Sequence, residues 1–193
     1  MKSAQNIFQA NGFGRVAPWV DLVNSEERDG FGELTDQLRN PRWLATFLKH
    51  WELYPLPSQG VPRRKLTQLR SLLRSAAEKA ATGDSLSRGE ISELNQALNV
   101  PVWQRLVQNQ NGFRTETVPL RSDWDWVLAR IAASFGEMLA NRELERIKVC
   151  ANTDCRWVFR DPTKGRTKRW CNDRTCGNRA RVRRARAAQK QKA

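Results

Sequence analysis

Four cysteines fall within the last 44 residues of this 193-residue chain, as Cys150-Ala-Asn-Thr-Asp-Cys155 and Cys171-Asn-Asp-Arg-Thr-Cys176. Each pair offers two sulfur ligands from one tight turn, and the 15 residues between them can bring both turns around a single ion. Sulfur is soft, so four thiolates select Zn(II), or less often iron, over Mg or Ca. No further His, Asp or Glu stands at ligand spacing. The site is therefore closed, and the expected cofactor is one structural Zn(II) per chain, held by Cys150, Cys155, Cys171 and Cys176. Two disulfides or four free thiols are the other chemistries open to these residues. The polar opening Met1-Lys2-Ser3-Ala4-Gln5-Asn6 lacks an apolar export segment, which argues against the disulfides and sets the expectation of a cytoplasmic protein.

The formal net charge of +14 is unevenly placed. Residues 150–193 carry 14 Lys/Arg against Asp154, Asp161 and Asp173, a formal +11, which leaves +3 for everything before them. A near-neutral body with a basic end points to a polyanion partner for that end. From Asn178 onward Ala, Arg, Gln and Lys dominate without Pro or internal Gly, so the spacing predicts a helix. In helical projection Asn178, Val182, Ala185 and Gln189 form a narrow stripe able to lie on the metal module. Arg179, Arg183, Arg186 and Lys190 run beside it, with Arg181 and Arg184 on the far side. The guanidinium groups of Arg179, Arg181, Arg183, Arg184 and Arg186 suit phosphate contact and, in a major groove, bidentate reading of guanine. Duplex DNA is the expected partner. RNA, or a zinc-stabilised protein adaptor whose charge serves only solubility, are the alternatives the charge leaves open. Arg179, three residues after Cys176, is equally suited to hold an acceptor near the finger.

Other elements must position these residues. Residues 1–15 read as irregular. Ala17-Pro18 opens an apolar stretch, Trp19 to Asn24, which suits a short helix or a strand. Glu26 to Gly32 reads as a polar loop. Asn40-Pro41 pairs an N-cap with Pro at N1, and Trp43, Leu44, Phe47, Leu48 and Trp51 continue at helical spacing to about residue 52. Residues 54–62 form a connection with Pro and Gly. Leu66, Leu69, Leu72, Leu73, Ala76 and Ala80 then mark a long amphipathic helix ending at Gly83. Ser87-Arg-Gly-Glu90 is a capping box for a helix holding Ile91, Leu94 and Leu98. The period then changes to two: Val102–Gln108, an Asn109-Gln-Asn-Gly112 turn and Phe113–Val118 predict a β-hairpin. Ser122–Asp125 caps another helix, with Trp126, Val127, Ile131, Phe135, Met138 and Leu139 inward. The fold class is α+β, mainly α: a helical domain over 16–148 with one hairpin, then a four-cysteine finger over 149–193 that ends in the basic helix. In the finger, Arg156–Arg160 alternates like a strand, Asp161–Gly165 is a turn, and Thr167–Trp170 returns toward Cys171. So short a segment has little core, so the metal supplies much of its stability.

Trp170-Cys171-x4-Cys176-Gly177-Asn178-Arg179, with Cys150-x4-Cys155 and an aromatic strand before it, resembles the CGNR zinc-finger family. Trp19-Val20-Asp21-Leu22-Val23-Asn24-Ser25, the Pro41/Trp43 helix and the leucine helix of 66–80 resemble the ABATE-type domain that family carries. Together they cover nearly the whole chain. The resemblance implies a bacterial protein of the stress-induced transcriptional regulator class, with zinc and DNA binding inferred for the finger.

Trp19, Asp21 and Asn24 can line a pocket for an unidentified small-molecule effector, or serve to cap neighbouring backbone. His50 is the single histidine, near a helix end, and is read as structural. Asp123 and Asp125 belong to a cap. Phosphate loops, nucleophile elbows and Ser/His/Asp constellations do not occur, so no enzyme is expected. No apolar run approaches the roughly 20 residues that span a bilayer. One finger reads few base pairs, so a homodimer would aid specificity, although no heptad repeat marks one.

Overall fold

The computed structural model describes residues 16–29, 33–53, 60–110 and 112–190. The irregular start, most of the 54–62 connection, the end of the Glu26–Gly32 loop and turn residue Asn111 lie outside them.

A short helix threads the centre. Pro18 at its first position starts α1 (Pro18–Asn24), and Trp19 through Asn24 are all buried, polar residues included. The choice between helix and strand resolves to helix because larger helices enclose the segment on several sides. Asn40 caps α2 (Pro41–His50) by accepting from the amides of Arg42 and Trp43. The leucine stripe builds α3 (Arg63–Thr82), stopped by Gly83 at φ 83, a left-handed cap that glycine adopts without strain. The reciprocal Ser87–Glu90 capping box starts α4 (Arg88–Leu98). Asp123 accepts from the Trp126 amide to start α5 (Trp124–Ala140), whose Val127, Ile131 and Phe135 are fully buried. Leu139, expected inward, is 44% exposed because it falls on the solvent side of that helix. Trp19 meets Phe135 edge-on at 5.1 Å, and its indole N–H donates to the Met138 thioether Sδ at 3.1 Å.

Three antiparallel hairpins complete the described chain. β1 (Glu26–Arg28) and β2 (Leu34–Asp36) pair where a polar loop was expected, in register Glu27↔Thr35. Their polar residues are tied inward: Gln37 donates to Glu27 at 3.1 Å, and buried Arg70 of α3 pairs with Asp36 at 2.6 Å. β3 (Val102–Asn109) and β4 (Gly112–Pro119) form the long hairpin the alternation predicts, and it stands largely in solvent. β5 (Ile147–Val149) pairs with β6 (Val158–Arg160). The finger's aromatic strand thus finds its partner before the first cysteine pair, not in the returning segment Thr167–Trp170.

The core does not stop at residue 148. Cys150, Cys155, Trp157, Val158, Phe159 and Cys176 belong to the same buried cluster as Trp19, Leu66 and Phe135. Two side chains join the parts. Asn24 donates to the Val158 carbonyl and accepts from its amide, both at 2.8 Å, acting as one more strand beside β6. Arg74 of α3 reaches the carbonyls of Val23 at 2.7 Å and Arg156 at 3.1 Å.

Candidate metal centre and basic helix

The finger is assembled around a capped hairpin. β5 delivers Cys150, whose amide donates to the Trp157 carbonyl at 2.8 Å and closes the first knuckle. Inside that knuckle the Asn152 carbonyl accepts from the amides of Cys155 at 2.9 Å and Arg156 at 3.3 Å. The second knuckle is anchored at Asn172, whose Oδ1 accepts from the amides of Arg174 and Thr175 and starts a π-helical turn, Asp173–Gly177. This turn carries Cys176 and runs directly into α6 (Asn178–Lys190). Gly177 fits tightly there: a Cβ would lie 3.1 Å from Asp173 Oδ1 and 3.5 Å from the Trp170 ring.

Between the knuckles, buried Asp161 organises the returning loop. It accepts from the Thr163 amide at 2.9 Å, the Thr163 hydroxyl at 2.6 Å and the Lys168 amide at 2.8 Å, and it pairs with Lys148 at 3.2 Å. Burial alone raises the pKa of such a carboxyl, but these donors outweigh it and hold Asp161 well below the usual carboxylate range. The stabilisation this provides is present above the ordinary carboxylate pKa of about 3.9 and is lost as pH falls toward the lowered value.

The four Sγ atoms lie within 4.8 Å of one another. Cys155 and Cys171 are 3.7 Å apart, and Cys171 and Cys176 3.8 Å. A tetrahedron with metal–sulfur bonds of about 2.3 Å has edges of about 3.8 Å, so the spacing matches a tetrahedral thiolate site. It is far from the sulfur–sulfur bond of about 2.05 Å that a disulfide needs. Sulfurs this close cannot all carry charge unaided. Hydrogen bonds from Cys150 and its neighbours hold Cys176 well below the thiol range, and those from Cys155 and Cys171 hold Cys150 at about 7. The same contacts, Cys150 foremost, push Cys155 and Cys171 up. A divalent cation at the centre resolves that conflict by stabilising every thiolate at once. Asn152, buried beneath the site, donates to Cys176 Sγ at 3.7 Å. The donor set therefore fits the metal.

The helix after the site departs from expectation. No residue of α6 is buried, Val182 is 40% exposed, and Asn178, Ala185 and Gln189 face solvent too. The predicted packing stripe is thus not the docking face, because one valine and one alanine offer too little apolar area. What ties the helix down is polar. Arg179 donates to the Asp29 carbonyl at 2.9 Å, Arg181 to the Asp173 carbonyl at 3.2 Å, and Arg183 pairs with Asp154 of the first knuckle. Arg184 and Arg186 are exposed.

Trp19, Asp21 and Asn24 do not form a ligand pocket. Each is at most 1% exposed: Trp19 and Asn24 hold the contacts above, and Asp21 accepts from the Trp51 indole at 2.8 Å. Their interior setting consumes the polar atoms a ligand would need. Space of small-molecule size lies elsewhere, in a cavity of about 560 Å³ where α3, α4, the hairpin base and the start of α5 meet, lined among others by Lys65, Leu69, Ala97, Pro101, Asp125 and Trp126. Arg74 and Asn152 also escaped the sequence reading. For Arg74 there was a signal: Arg70 and Arg74 recur four apart beside the leucine stripe, where a solvated arginine does not belong.

Comparison with known families places the whole arrangement. The model of the CGNR zinc finger matches residues 146–189, and the ABATE model, described as "Putative stress-induced transcription regulator", matches residues 16–142. The chain belongs to the ABATE family and carries a C-terminal CGNR zinc finger. No curated protein matches it. Among the described residues no helix is long and apolar enough to cross a membrane.

Proposed function

We propose that this protein is a DNA-binding transcriptional regulator, not an enzyme, in which one structural zinc bound by Cys150, Cys155, Cys171 and Cys176 fixes the start of a basic reading helix. The observation that carries this reading is the exposure of every residue from 181 to 190 on a helix that leaves the zinc site directly. Thirteen residues span about 20 Å, and a B-DNA major groove about 12 Å wide admits a helix that stands clear of its own domain. The deep, narrow major groove of A-form RNA does not, which favours duplex DNA. Like charges three and four apart, such as Arg179 with Arg183 and Arg183 with Arg186, destabilise the isolated helix, and a phosphate row relieves them. A small effector, in this reading, enters the cavity beside Trp126 rather than the buried Trp19 region.

The test is a salt titration of binding to duplex DNA and to structured RNA, with circular dichroism followed in parallel. DNA is expected to bind more tightly, with a steep log–log salt slope and a gain of helix signal. Equal or tighter binding to RNA supports an RNA-binding protein instead, and no binding to either supports a protein adaptor.

A further inference from the structure

The β3–β4 hairpin serves neither the metal centre nor the basic helix, yet it is the longest sheet element and the least covered. Leu106 is 67% exposed and Phe113 69%. A two-stranded ribbon with no packed face is marginal alone, and its free edges are templates for further pairing. We propose that the protein forms a twofold dimer in which β4 pairs antiparallel with β4 of a second copy about Thr115, joining two hairpins into one four-stranded sheet.

The register follows from the hairpin itself. The Leu120 amide donates to the Pro101 carbonyl at 3.1 Å, and strand partners run from Val102↔Pro119 to Asn109↔Gly112. Hydrogen-bonded pairs alternate along an antiparallel ladder, so Val118, Glu116 and Arg114 turn their backbone groups toward β3. Phe113, Thr115 and Thr117 therefore turn theirs outward, along the free edge. A twofold axis at Thr115 sets Thr115 against its own copy and Phe113 against Thr117 of the partner subunit, each with outward-facing backbone groups on both strands. Arg114 then faces Glu116 of the partner subunit, and Glu116 faces Arg114 of the partner subunit, at the position in the ladder where side chains approach most closely. Twofold axes at Arg114 or Glu116 also satisfy the backbone, but they set each of those charges against its own copy; among these registers the Thr115 axis is the one that matches the charges, and it does so twice.

Within one chain Glu116 already holds Arg105 at 2.9 Å and Arg114, so the carboxylates lie on the correct face before any partner arrives. Pro119, which has no amide to donate, falls outside the stretch that pairs. The other edge is a poorer candidate. β3 carries Arg105 as its one charge and has no opposite charge to meet it in a twofold pairing. The inference does not depend on nucleic-acid binding.

The experiment is sedimentation of the zinc-loaded full chain over a concentration series, with zinc content and circular dichroism checked for each variant. The parent chain of 22.2 kDa is expected to approach twice that mass. Thr115→Pro removes an amide that β3 does not use and should leave a folded monomer. Arg114→Glu and Glu116→Arg each bring like charges together and should weaken association roughly tenfold or more, while the double swap restores it. If Thr115→Pro loses its fold, the charge swaps alone decide. A parent that stays monomeric at the highest attainable concentration overturns the proposal, and so does a dimer indifferent to the charge swaps. Unchanged mass with weakened nucleic-acid binding also overturns it, and assigns the hairpin to the polyanion.

Discussion

Val158 is wholly buried and Val182 is 40% exposed, although both belong to one finger of fewer than 50 residues. The first half of the finger is held by the body through groups that cannot be spared: the paired hydrogen bonds of Asn24, the Arg74 bridge to Arg156, and a core continuous with Trp19 and Phe135. The helix that leaves the metal has no buried residue, and the contacts described for it are made by arginines along its edge. This contrast assigns different work to the halves. On the proposed reading, a recognition helix is useful when the scaffold beneath it is rigid and its own surface is free, and the four-cysteine site is the joint where one condition passes to the other. Substitutions in the docked half should therefore report as stability, and substitutions in the free half as binding.

The largest effect should come from the joint. Structural zinc contributes about 10–16 kcal/mol of apparent binding free energy in isolated finger peptides, so its removal is expected to unfold the finger. Cys176→Ser should abolish stoichiometric zinc, measured by metal analysis, and lower the melting temperature of the whole chain. The body should be affected as well, because Asn24 and Arg74 lose their partners. A chain ending at Lys148 is accordingly expected to melt below the full-length protein. If the two melt alike, the finger lends the body no stability.

Next is the seam. Asn24→Ala strands the buried amide and carbonyl of Val158, at about 1–3 kcal/mol for each unsatisfied group. A loss of about 2–5 kcal/mol by denaturant titration is expected, with an unchanged slope. A loss below about 0.5 kcal/mol would mean that water replaces the side chain and the seam is loose.

A smaller effect belongs to Gly177. An added methyl group approaches Asp173 Oδ1 at 3.1 Å, but Asp173 is exposed and its side chain can turn away. Gly177→Ala should cost about 1 kcal/mol and weaken zinc retention in chelator competition.

Local rules made most elements legible. The Asn40 cap, the Ser87–Glu90 box, the Gly83 stop and the 102–118 alternation all appear where their chemistry predicts, because each is decided within a few residues. The cysteine cluster was legible for the same reason: metal ligands in paired turns are a spacing rule. What spacing cannot show is which distant surface an element meets. β5 and β6 pair across the first knuckle, and the polar residues Asp21 and Asn24 turn out to be interior hydrogen-bonding groups because tertiary neighbours enclose α1. The packing stripe assigned to α6 failed on magnitude, since Val182 and Ala185 together bury too little apolar surface to outweigh three arginine contacts on other sides of the helix. The cavity beside Trp126 has no local signature at all, being bounded by three helices and a hairpin base.

The smallest effect on stability, and the sharpest test of the contrast, is expected from Arg183 and Arg186. Arg183 pairs with Asp154 on the surface, where both side chains are more than a third exposed, and such pairs contribute about 0–1 kcal/mol. Arg186 is exposed one turn further on. Arg183→Ala and Arg186→Ala should therefore leave zinc content unchanged and move the denaturation midpoint little, within about 0.5 kcal/mol each. On duplex DNA the same substitutions should act strongly. A lost phosphate contact weakens binding to all sequences alike and flattens the log–log salt slope by about 0.9, whereas a lost guanine contact costs about 1–3 kcal/mol at one base position. Arg183 must give up Asp154 to reach DNA, so its contribution should be the smaller of the two. Asp154→Ala, which frees Arg183 without removing it, should then tighten binding and leave the slope contributed by Arg186 untouched. If Asp154→Ala and both arginine variants bind every duplex as the parent does, the free helix is not the reading element, and exposure alone does not make it one.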